Sequence, residues 1–247
     1  MKSFLGALGF LTILPVPGHI RLDTKILQYA WMWFPLVGLL VDSIAGAVYA
    51  LGVFAGFPTL LAATLAVGTL IITTRAFHYD GFSDTVDAAF GGFTIENRMR
   101  IMKDPHLGSF AVLGLVLLVL LQVQVINLIP VSQAIIIFGM AGALSRWSVL
   151  WPMFNVLYAK EIGLGRLFKQ SPARYVIASI ITLTVAITLV GTGAVVLVLG
   201  VFIFAWLLGL FAKLRFGGLT GDVCGFIIIL TELFVIAVCP VVIRFLG

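Results

Sequence analysis

The chain has 247 residues, 62% of them apolar and only 10% charged, with a formal net charge of +5. Soluble domains run at about 45–50% apolar, so the composition excludes a water-soluble fold and places the chain in a lipid bilayer. The positive charge does not point to nucleic acid, because Lys and Arg recur between apolar runs as topology signals do.

Lys2 and the apolar stretch from Phe4 to Leu14 resemble the front of a signal peptide. The stretch lacks a small-x-small cleavage site and runs into Pro15-Val16-Pro17-Gly18. Too short to span, it is expected as a retained helix, interfacial or partly inserted. Seven longer apolar runs follow, at about 31–55, 58–78, 107–128, 131–152, 174–191, 194–212 and 224–245, each near the roughly 20 residues a span requires. The expected fold is therefore all-α, a polytopic transmembrane helical bundle of about seven spans, with residues 1–247 forming one integral membrane domain. The break Gly191-Thr192-Gly193 is so short that runs five and six could also be one bent segment. Cys224 and Cys239 are separated by roughly 22 Å of helix, beyond disulfide reach.

Charge is confined to one side of this arrangement. The segment 79–106 carries Asp80, Asp84, Asp87, Glu96, Arg98, Arg100, Lys103 and Asp104. The segment 153–173 carries Lys160, Glu161, Arg166 and Lys169, and 213–223 carries Lys213, Arg215 and Asp222. With seven spans these loops share a side with Lys2, Arg21 and Lys25, and the opposite loops hold no charge. The positive-inside rule makes the charged side cytoplasmic and the cell membrane the expected location. A carrier usually needs polar groups along its whole path, so the bias favours surface chemistry. A transporter of a cation or corrinoid, using Asp42 and Glu232 as intramembrane carboxylates, is the alternative.

The segment His78-Tyr79-Asp80-Gly81-Phe82-Ser83-Asp84-Thr85-Val86-Asp87 ends the second run. On a helix, positions 80, 84 and 87 fall within about 60° of one another. Three like charges on one stripe repel, and a divalent cation reverses the sign, since Mg²⁺ takes carboxylate oxygens together with substrate phosphates. The competing reading pairs the carboxylates with Arg98, Arg100 and Lys103. Gly81 is expected to leave room beside the carboxylates for a bulky ligand, and Gly91-Gly92 to let backbone approach phosphate. Asp104, before Pro105, is either a helix cap or part of the site. Asp222, after Gly217-Gly218-Leu219-Thr220-Gly221, is either a cap or a carboxylate aimed at a phosphate or its metal. Arg75 and Arg146 either snorkel or bind an anion. For Asp42, pairing with Arg75 is one option.

These residues resemble the cobalamin synthase family, the membrane-bound adenosylcobinamide-GDP ribazoletransferases. The resemblance runs through Phe10-Leu11-Thr12 with Pro15-Val16-Pro17, Phe34-Pro35 with Gly38, His78–Asp87, Ile101-Met102-Lys103-Asp104 with Gly108, Ser145-Arg146, Gly163-Leu164-Gly165, and Gly217-Gly218 with Thr220-Gly221-Asp222. It implies a reaction in which adenosylcobinamide-GDP and α-ribazole, or its 5′-phosphate, give adenosylcobalamin or its phosphate and GMP, with Mg²⁺ as the metal. It also implies roles: Asp80, Asp84 and Asp87 holding one or two Mg²⁺, with Asp104 or Asp222 as a further ligand. His78 or one of Asp84 and Asp87 would take the hydroxyl proton, and Arg146, Lys103, Arg166, Thr220 and Gly81 would contact substrate. The chain departs from the family at Ile13, where arginine is common, at Arg75-Ala76, where glycines stand, and at Arg100, often acidic. Asp42 replaces a small residue, and Ile229 replaces one of two glutamates of the last span, leaving Glu232. A homo-oligomer is compatible with the sequence but not specified by it.

Overall fold

The computed structural model describes residues 2–17, 24–155 and 172–246, and among these the secondary structure is helical. Helices α1 (Lys2–Leu11) and α2 (Thr24–Ala30) lead through a 3₁₀ turn (Trp31–Trp33) into α3 (Phe34–Phe54). Then come α4 (Thr59–Thr73), α5 (Phe77–Gly91), α6 (Ile95–Ile101) and α7 (Ser109–Asn127). After these, α8 (Ala134–Ser148) continues into the short α9 (Leu150–Asn155). The chain ends with α10 (Pro172–Val190), α11 (Gly193–Phe216) and α12 (Gly221–Leu246).

Among the described residues, six stretches are long and apolar enough to cross a bilayer: Ile26–Phe54, Ser109–Asn127, Val131–Met153, Pro172–Val190, Gly193–Phe216 and Gly221–Leu246. Gly191, at φ +60°, turns the chain between α10 and α11, which pack on each other as two helices rather than one bent one. The second expected span differs. It does not run straight through 58–78: α4 stops at Thr73, and α5 leaves at 90°. The cause is local, because Arg75 and Ala76 both stand at φ +55°, a left-handed conformation that breaks a right-handed helix. The break is pinned from outside. Ile13 N–H donates to Thr73 O at 2.9 Å, and the Arg75 guanidinium donates to Thr12 O at 2.7 Å. Arg75 thus does not meet Asp42, which pairs with Arg146 instead.

The same contacts place α1. It is folded against the start of α3, with Phe10 stacked on Phe34 at 5.9 Å and Phe4 edge-on to Trp33 at 6.0 Å. The expected loop 79–106 is mostly helix, supplied by α5 and α6. The loop expected at 213–223 shrinks to the turn after Phe216, which Gly217 opens at φ +73°. Most of 153–173, including Arg166 and Gly163-Leu164-Gly165, lies outside the described residues, as do His19 and Arg21.

At the centre lies α8, with 83% of its apolar window buried, against 22–28% for α7, α10 and α11. Those outer helices turn Leu113, Leu117, Leu199 and Leu207 outward, as a lipid-facing surface requires. No hydrophobic drive brings helices together in lipid, so close packing of small residues must. Helices α3 and α8 cross at Gly38 and Gly142, where a Cβ on either would lie 2.1 Å from the other's carbonyl oxygen. Gly38→Ala is therefore expected to cost about 3 kcal/mol, read as a lower thermal midpoint in detergent; an unchanged midpoint would show that the crossing can relax.

Candidate active site

The acidic stripe is real. Asp80, Asp84 and Asp87 all lie on α5, which is too short to span alone, Asp80 exposed and the other two half-buried. Burial and then the negative fields of Asp80, Asp222 and Asp87 push the Asp84 carboxyl up to about 6. The turn before α12 therefore delivers Asp222 to the stripe across 134 residues of chain between it and Asp87. That approach depends on Gly81, where a Cβ would lie 2.6 Å from Asp222 O. Gly81 thus admits the backbone of α12, and not the ligand expected from the sequence.

Asp87 is the most constrained of the three. Its Oδ2 accepts from Gly108 N–H at 2.8 Å and its Oδ1 from Ala111 N–H at 3.2 Å, so it caps α7 from another helix, where the dipole favours negative charge. The pairing of the stripe with basic side chains is not seen. Arg98 donates to the carbonyls of Arg215 and Phe93, Arg215 to that of Ala89, and Arg100 to Asn97 Oδ1. Among the described residues no ion pair joins Asp80, Asp84 or Asp87 to Arg or Lys.

Several expected roles are corrected. Arg146 reaches neither headgroups nor substrate: it is 2% exposed, and its Nη1 lies 2.9 Å from Asp42 Oδ2 and 2.5 Å from Glu232 Oε2. Asp42 and Glu232 are thus occupied in one buried triad with Arg146, which leaves neither free as a transport carboxylate. Thr220 is a helix cap and not a substrate contact, its hydroxyl accepting from Val223 N–H at 3.2 Å and donating to Met102 Sδ at 3.3 Å. His78 is 3% exposed, and its Nε2 is buried without a partner, so a proton acceptor for a substrate hydroxyl does not reach solvent there. Asp104 does not cap α7, whose N-cap is Gly108. Its Oδ1 instead takes His106 N–H at 3.0 Å and lies 2.6 Å from His106 Nδ1. Asp104 is thus engaged with His106. Lys103 lines an open groove with Arg100 and Glu96.

Sequence reading missed the triad and His106. The signal for the triad was present: one cation and two acids in apolar runs must find each other. A histidine two residues after an aspartate carried no comparable demand.

The donor chemistry of the stripe is carboxylate oxygen, which suits a hard divalent cation. Among the described residues no three acidic, His or Cys side chains converge closely enough to hold a metal by themselves.

The chain matches the family model described as Cobalamin-5-phosphate synthase over residues 3–240. It is 36% identical over 240 residues to the adenosylcobinamide-GDP ribazoletransferase of Klebsiella pneumoniae (strain 342), covering 94% of this chain and 97% of that one. Proteins of the same name from Desulforamulus reducens and Escherichia coli (strain K12 / DH10B) are 32% identical over 225 residues and 33% over 243, covering 89% and 94% of this chain and 88% and 96% of theirs. No solved structure matches the chain.

Two outcomes follow from the geometry. A carboxyl whose pKa rises on folding contributes stability that is complete below its ordinary value of 3.8 and lost as pH climbs through about 6. The thermal midpoint of metal-free protein should fall across that window. Asp84→Asn should remove that fall and be the more stable protein at pH 7; a less stable Asn variant would mean that a basic partner holds the carboxylate. Arg146→Met, which strands two buried carboxylates, should cost about 3–5 kcal/mol and reduce the yield of monodisperse protein. Full stability in that variant would return Arg146 to the list of free cations.

Proposed function

The chain belongs to the cobalamin-5-phosphate synthase family, and from that premise we propose that it joins adenosylcobinamide-GDP to α-ribazole, or to its 5′-phosphate. The products are adenosylcobalamin, or its phosphate, and GMP. The observation that carries the reading is the stripe Asp80, Asp84 and Asp87, beside Asp222 and unneutralised by Arg or Lys among the described residues.

Attack by a ribose hydroxyl on the cobinamide-bearing phosphorus brings an oxygen toward a doubly charged diphosphate, so charge neutralisation and positioning dominate. Mg²⁺ held by these carboxylates would supply Lewis acidity and charge neutralisation at the diphosphate. Asp80 and Asp84 are the groups we assign to hold it, with Asp222 from α12 adding its negative field beside them. Asp87, fixed by two amides of α7, holds the stripe in register and adds its charge. Lys103, on the same face of the fold, is the remaining candidate contact for substrate phosphate, as is Arg166 outside the described residues. The charged face is assigned to the cytoplasm by the positive-inside rule.

The direct test is GMP release from adenosylcobinamide-GDP and α-ribazole by protein in detergent with Mg²⁺. Asp84→Asn should lower kcat at least about 10²-fold, and chelation of the divalent ion should abolish turnover in the wild type. Wild-type turnover in either case sinks the metal assignment. Solute uptake into sealed vesicles without GMP release would instead restore the transporter.

A further inference from the structure

Attack on a diphosphate requires that the hydroxyl lose its proton, and the histidine expected for this, His78, is walled into the bundle. Of the two histidines among the described residues, His106 is the one in water, its side chain 89% exposed. It is not loosely placed. The Asp104 carboxylate holds both its backbone N–H, at 3.0 Å, and its ring Nδ1, at 2.6 Å, through the same oxygen. The backbone bond alone makes an ordinary aspartate turn; the ring contact adds orientation. With Nδ1–H committed to a carboxylate, the neutral ring keeps its lone pair on Nε2, the atom that faces away from Asp104.

The turn that carries this pair is fastened to the acidic stripe. Gly108, two residues after His106, donates its N–H to Asp87, and two residues of extended chain span at most about 7 Å. Asp104 of this pair also lines an open groove of about 520 Å³, together with Glu96, Met99, Arg100, Lys103 and Pro105; His106 follows directly after Pro105. That is within the range of small-molecule sites. Arg100 and Lys103 are exposed, and neither is ion-paired among the described residues.

We propose that the segment 96–106 is the subsite for the incoming nucleoside, with His106 as its proton acceptor and Asp104 as the group that orients it. This rests on the transferase reading above. In the step, the ribose hydroxyl gives its proton to His106 Nε2. Its oxygen forms the new bond to the cobinamide-bearing phosphorus, and the bond from that phosphorus to the bridging oxygen breaks, its electron pair leaving with GMP. The imidazolium then releases the proton to water. Arg100 and Lys103 offer donors to a phosphate monoester at the far end of the nucleoside, so this groove is where the 5′-phosphorylated acceptor is told from the unphosphorylated one.

The experiment compares wild type, His106→Ala and His106→Gln by GMP release, with thermal midpoints as the check on folding. General base catalysis is worth about 10²–10⁴-fold, so both variants should lose at least about 10²-fold in kcat, with little change in KM for adenosylcobinamide-GDP. Free imidazole should restore part of the rate to His106→Ala, which a merely structural role would not allow. Arg100→Gln with Lys103→Gln should raise KM about 10-fold or more for α-ribazole 5′-phosphate and leave α-ribazole unaffected. Wild-type kcat in His106→Ala, or a lost rate that imidazole leaves unrestored, overturns the base; equal KM effects on both acceptors overturn the phosphate contact. If the wild type itself releases no GMP, the transferase reading falls and takes this one with it.

Discussion

A guanidinium stays charged at any pH a protein meets, and among apolar side chains it has nowhere to put that charge except on another part of the chain. Arg146 solves this by drawing one carboxylate from α3 and one from α12 onto the same nitrogen, so three helices must meet before any of the three groups is tolerable. The meeting needs close backbones. Gly38 and Gly142 supply them, and the Arg146 side chain folds back past Gly38 within 2.8 Å of where a Cβ would stand. Helix α5 is then laid on this frame, its His78 backbone against Gly225 of α12 and its Gly81 against Asp222. The acidic stripe stands where it does because the buried triad has already fixed what lies behind it.

The molecule thus holds two sets of acids under opposite rules. Asp42 and Glu232 sit deep, where an unpaired charge is prohibitive, and both are held by Arg146, Asp42 through Oδ2 alone. Asp80, Asp84 and Asp87 lie along α5, Asp80 exposed and the other two half-buried, where repulsion on a helix surface costs a few tenths of a kcal/mol per close pair. The chain leaves that cost standing. The nearby arginines do not relieve it, because Arg98 and Arg215 are used on backbone carbonyls at the ends of helices. Those carbonyls are the orphan acceptors of helix C-termini, which a cation satisfies well. The local cations are thus engaged at helix ends, and the carboxylates of the stripe have no Arg or Lys ion pair among the described residues.

The spans were legible because 20-residue apolar runs have few other uses, and the stripe because a period of 3.6 aligns 80, 84 and 87. The 90° break was not legible from composition, since neither Arg75 nor Ala76 advertises a left-handed backbone. The departure from glycine at these two positions was its one trace, and only the contacts of Thr12 and Ile13 show how the strain is held. The misassignment of Arg146 has a different source. From sequence, its place near the end of a run suggested a snorkelling side chain, and depth in a bundle depends on which helix is central. Gly81 was misread for a related reason: a glycine beside carboxylates serves a ligand or a neighbouring backbone equally well, and only packing decides which.

What the stripe lacks is a finished cage, and the lack follows from how its members are held. Asp87 has both oxygens committed to the amides that start α7, so it cannot swing far without uncapping that helix. Asp222 belongs to a different element, whose distance is set by the Gly81 contact. Only Asp80 and Asp84 are left to adjust. The proposed Mg²⁺ would then complete its shell with oxygens from outside the chain, as this ion usually does with water and phosphate. Were a diphosphate to supply them, each ligand would by linkage strengthen the other's binding by the same factor.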